Sequence, residues 1–231
     1  MKQILSDYLK ICAEYAASNE KDRKKIRHAK LREWAERVYS EMPEADEVIG
    51  FISDHQDICY AKQFIVGIIL PCLKKEYKEC GTVLFSFLLA TRNNISLCDN
   101  CMRLFCETEN IDSFQLTDIL IARQPANEYF LSFRLEVLNY FLQYSVHELP
   151  LGLLCDDEDT VDAELTYKII NEWAELSKKF GMDVASLKEK YLELYRAWYD
   201  YLSIRQKGDF DGNFESYLNL KGINWEDVFK A

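Results

Sequence analysis

Glycine and proline are scarce in this chain, eight and four in 231 residues. So few backbone breakers argue against a strand-rich fold punctuated by tight turns and favour helices joined by short connections. Histidine is rarer still, with three, at positions 28, 55 and 147. The sequence also holds no Gly-rich phosphate loop, G-x-S-x-G, H-E-x-x-H or dinucleotide fingerprint. Without such motifs nothing supports a catalytic assignment. Long apolar runs are missing too: the two most apolar stretches, 64–73 and 83–90, are about ten residues or shorter, against the roughly 18–20 that span a bilayer. No membrane partner is expected. Met1-Lys2-Gln3-Ile4 leads straight into an amphipathic helix, so no leader peptide is expected either.

What is present is helix periodicity and acid. The longest periodic stretch runs from 160 to 205. Leu165, Ile169, Trp173, Leu176 and Phe180 mark one helix face, and Leu187, Tyr191, Leu194, Trp198 and Tyr201 mark another. Gly181 suits the left-handed residue after the first helix, and Asp183 suits the cap of the second. A connection this short folds the second helix back, predicting an antiparallel hairpin. Helices are also predicted over 2–18, from Asn19 to about Met42, 44–53, 57–70, 82–91, 95–107, 113–122 and 125–145. Pro71 is expected to kink or restart the fourth of these, and Pro125 to occupy the first turn of the last. The segment 129–144 is apolar on most sides and reads as a central helix. After a turn-rich linker from Lys207 to Asn213, two short docked helices close the chain, the last capped by Asn224 and stapled by Ile223 and Val228. About ten helices in sequential antiparallel pairs predict one all-α domain over 1–231, an α-solenoid-like or irregular bundle without a fixed repeat.

The formal net charge is −11, but it is uneven. Residues 1–40 carry a net +4 and residues 41–231 a net −15. The domain is therefore expected to comprise a basic helix pair (1–42), an acidic body (43–206) and the docked tail (207–231). The basic side chains concentrate at Arg23, Lys24, Lys25, Arg27, Lys30 and Arg32. The structural reading is a solvated helix end projecting past its partner. The functional alternative is an anion-contacting patch for nucleic acid or an acidic protein, which the overall charge disfavours.

Eight cysteines, at 12, 59, 72, 80, 98, 101, 106 and 155, sit mostly among apolar neighbours, where thiols behave as small hydrophobes. A reducing, cytoplasmic setting is expected. Cys98-Asp99-Asn100-Cys101 followed by Cys106 has metal-like spacing, but zinc needs four ligands and no second such pair exists. Leu97, Cys98, Cys101, Met102 and Phe105 also make an ordinary apolar helix face, so no metal or cofactor is expected. The loop from Asp209 fails as a calcium site, because the positions requiring Gly and Glu hold Phe214 and Leu220. Asp54-His55-Gln56-Asp57, with Cys59 nearby, reads as a polar helix junction. On the second hairpin helix, Tyr195, Trp198 and Tyr199 widen the apolar face beyond what one partner helix covers. Either that helix has neighbours on two sides, or these residues anchor a partner. The expectation is a non-catalytic, intracellular interaction module of inhibitor, immunity or adaptor type, its acidic body steering a basic protein. The rivals are a nucleic-acid-associated protein using the basic helix and a ligand binder or enzyme with an interhelical pocket.

Overall fold

The computed structural model describes residues 2–15, 21–38, 40, 42–91, 95–153, 163–226 and 228. Among these the protein is all-helical, without strands, and neighbouring helices pack on one another. The helices are α1 (Gln3–Tyr15), α2 (Lys21–Val38), α3 (Ala45–Asp54), α4 (62–78), α5 (Val83–Ala90), α6 (Ile95–Glu109), α7 (Ser113–Arg123), α8 (Glu128–Ser145), α9 (Ala163–Lys179), α10 (Ala185–Gln206) and α11 (Phe214–Lys221). The chain divides into two compact units, Met1–Phe130 and Leu131–Ala231.

In the first unit the aromatic residues of four separate segments meet. Tyr8 (α1), Trp34 (α2), Phe51 (α3) and Phe64 (α4) meet in stacked, tilted and edge-to-face pairs, with the Tyr8 and Phe64 ring centroids 4.6 Å apart. Their polar tips are satisfied from the backbone: Trp34 Nε1 donates to Ile4 O at 2.7 Å, and Tyr8 Oη accepts from Ala61 N at 2.8 Å. Burial of the ring also pushes the Tyr8 hydroxyl pKa far up. The junction around His55 is a helix end, with His55 Nδ1 2.8 Å from Phe51 O. Helix α4 starts at Lys62, later than the periodicity predicts, and runs through Pro71. It does so by a π-helical turn over Ile65–Ile69, in which Leu70 N donates to Ile65 O. Proline has no N–H and its ring clashes with the carbonyl four residues back. Widening the turn just before Pro71 removes that conflict without ending the helix. Beyond it, the Glu76 carboxylate accepts from Leu84 N and Phe85 N, so α4 caps the start of α5.

The second unit is built on the hairpin of α9 and α10. Gly181 adopts φ +78° and Met182 N donates to Ser177 O at 2.9 Å, the hydrogen bond of a glycine-terminated helix. The buried stripe of α9 is Thr166, Ile169, Ile170, Trp173 and Ser177, so it is rotated from the predicted one; Leu165 and Phe180 are exposed. Asp183 Oδ1 accepts from Ala185 N at 3.2 Å, while Val184 takes the capping position itself. Helix α8 enters from the first unit. It starts at Glu128, three residues later than Pro125, because Asn127 Oδ1 accepts from Tyr129 N and Phe130 N. Arg134 on α8 makes a bidentate pair with Glu172 on α9, Nε to Oε1 at 2.8 Å and a terminal nitrogen to Oε2 at 2.9 Å. Asn213 caps α11 through Ser216 N, and Phe214, Tyr217 and Leu218 bury its inner face. Val228 is buried and Asn224 Oδ1 accepts from Glu226 N; the acidic run 156–159 lies outside the described residues.

Candidate interaction surfaces

The three aromatic residues singled out on α10 meet different neighbours. Tyr195 has no exposed surface at all. Tyr199 is half-buried, its hydroxyl 2.8 Å from Thr166 Oγ1 and its ring edge-to-face with Tyr167. Trp198, also half-buried, lies 4.8 Å from Phe214 and 5.6 Å from Tyr201, centroid to centroid. Gly152 passes so close to the Trp198 ring that a Cβ there would stand 2.9 Å from it. Most of this aromatic face therefore goes into holding α9, α10, α11 and the 146–153 turn together. Only parts of Trp198 and Tyr199 reach solvent, and Tyr195 gives a partner nothing to touch.

Among the described residues of the second unit, the most exposed tyrosines are on α8. Tyr140 is 71% exposed and Tyr144 55%, and their rings stack with centroids 6.0 Å apart and planes 12° from parallel. Four residues of helix rise about 6 Å, which matches this ring spacing. Leu135, Leu138 and Leu142 face inward on the other side of the helix. This corrects the expectation that α8 is surrounded by apolar neighbours: apolar composition did not distinguish tyrosines lying outward from leucines lying inward. The usable signal was polar company on the same face, since Glu136 and Gln143 are exposed beside them. A groove of about 540 Å³ opens at the elbow of the hairpin, lined by Ala174, Lys178, Met182, Val184, Ala185 and Lys188 among others. Its charges are mixed, with Glu175 and Asp183 beside the two lysines.

In the first unit, Arg23, Lys24, Lys25, Lys30 and Arg32 are exposed and Arg27 is half-buried. Lys30 pairs with Glu33 at 3.0 Å. The buried side chains of α2 are Leu31, Trp34 and Val38, all in its C-terminal half. Among the described residues the basic half therefore contributes no buried apolar side chain, and Arg23, Lys24, Lys25, Lys30 and Arg32 form a cationic surface. On α6, Cys101 and Cys106 are buried, and burial pushes the Cys106 thiol up to about 11. Among the described residues no group of three or more His, Cys, Asp or Glu side chains is placed to hold a metal ion, and no helix is long and apolar enough to cross a membrane. No protein-family model, no curated protein and no solved structure gives a significant match to the chain.

Proposed function

We propose that the chain is a non-catalytic protein–protein interaction module, of inhibitor, immunity or adaptor type, whose acidic body binds a basic partner. The observation that carries this reading is the charge distribution. Residues 131–231 hold 11 Lys/Arg against 19 Asp/Glu, a net of −8, and residues 41–130 add −7. Such a field speeds encounter with a cationic surface and repels polyanions. Large exposed tyrosines in the second unit supply contact area that charge alone lacks. Within this reading Tyr195, Trp198 and Tyr199 contribute mainly by holding α10 in place. The exposure of the basic half of α2 favours a second reading, in which that helix contacts nucleic acid.

Affinity capture from host lysate at low and moderate salt, with and without nuclease, separates the two. The expected result is a basic protein that survives nuclease, weakens with salt, re-forms the complex when purified, and is retained by a variant with Lys24, Lys25 and Arg27 neutralised. Nucleic acid captured by the wild type and lost with that variant would overturn the proposal in favour of the second reading.

A further inference from the structure

The exposed tyrosine pair has a charged companion at each end. Glu136, Tyr140, Tyr144 and Glu148 follow one another at intervals of four residues. The first three lie on one face of α8, and Glu148 lies in the turn just beyond its end. Leu151 N donates to Glu148 O at 2.7 Å, which keeps the 70% exposed Leu151 in that same turn. Glu148 also lies 3.1 Å from His147 Nδ1, a contact with an exposed neighbour. The result is two nearly parallel aromatic rings open to solvent, with an exposed glutamate one helical turn before them on the same face and a second glutamate in the turn that follows.

We propose that this strip receives arginine side chains of the basic partner; the proposal rests on the acidic-module reading above. A guanidinium is planar and weakly hydrated, stacks on aromatic faces and pairs with carboxylates. The strip presents both groups, the rings and Glu136 from the helix and Glu148 from the turn after it, within an acidic unit that draws cations toward it. On α10 Tyr195 is buried and Trp198 and Tyr199 are half-buried, so those aromatics present less ring surface. An arginine lying along the rings puts its methylene stem on tyrosine and its charge at Glu136 or Glu148.

The test titrates the full chain with a synthetic peptide of Arg-Gly-Gly repeats at about 50 mM salt, following tyrosine ring resonances and the dissociation constant. Three double variants are compared: Tyr140→Ser/Tyr144→Ser, Glu136→Gln/Glu148→Gln, and the exposed α10 control Glu189→Gln/Glu193→Gln. All substituted side chains lie outside the buried core, and circular dichroism checks that each variant remains helical. The expected result is about fivefold or greater weakening from each strip variant and less than about twofold from the control, with the ring signals of Tyr140 and Tyr144 moving on titration. Equal weakening by both charge variants, with the serine variant unchanged, would overturn the strip while leaving the acidic-module reading standing. No binding of the peptide to the wild type would overturn the strip, and the acidic-module reading would still be decided by the capture experiment.

Discussion

Cys80 holds φ +60° just past the end of α4, at a position where glycine costs nothing and a side chain is strained. Its own side chain is exposed, so little packing is lost by removing it. Cys80→Gly is expected to raise stability by roughly 0.5–1 kcal/mol, read from denaturant unfolding. Asp7 makes a prediction of opposite character. A hydrogen bond from Gln3, followed by the Arg37 contact at 2.9 Å, holds its pKa below the ordinary 3.8. The fold therefore favours the ionised form. Its contribution is present above the unfolded-state value and disappears as pH falls through the lower folded one. Thermal unfolding followed from about pH 5 to about pH 2 should show this loss in the wild type and a shallower decline in Asp7→Asn.

At the scale of elements, helices were legible because their signals are local, and contact faces were less so because they depend on what packs against them. The hairpin could be read from Gly181 and the two apolar periodicities. The rotation of the α9 stripe could not, because Leu165 is as apolar as Ile170 and only the position of α10 distinguishes them. Pro71 reads in the sequence as a kink or restart, yet the helix continues through it by a π turn, a local solution that composition does not signal. On α8, Tyr140 and Tyr144 are hidden among apolar residues, so the sequence points instead to the α10 aromatics, of which Tyr195 is buried and Trp198 and Tyr199 are half-buried. The pair between α8 and α9 gives the element-scale prediction. The Arg134 side chain is 8% exposed and that of Glu172 is 38%, so removing the carboxylate leaves a largely buried charge without its bidentate acceptor. Glu172→Ala should cost about 2–3 kcal/mol, discounted for the exposure of the glutamate, whereas Arg134→Met/Glu172→Leu should recover most of it. A double-mutant cycle by chemical denaturation measures both.

For the whole molecule, charge separates the functional readings more sharply than shape. The +4 of residues 1–40 and the −15 of residues 41–231 attract opposite classes of partner. Screening over about 8–10 Å at physiological salt lets a local patch act despite a distant opposite charge. Net charge alone therefore does not decide between them, and perturbing each region separately does. The decisive measurement is the affinity of the captured basic protein between about 50 and 200 mM salt, for the wild type, for a variant with several exposed acids of the second unit neutralised, and for one with Lys24, Lys25 and Arg27 neutralised. The account predicts affinity that falls with salt, drops in the acid-neutralised variant, and is unchanged or slightly improved in the basic-helix variant. Affinity indifferent to salt and to the acids, but lost with the basic helix, would contradict it.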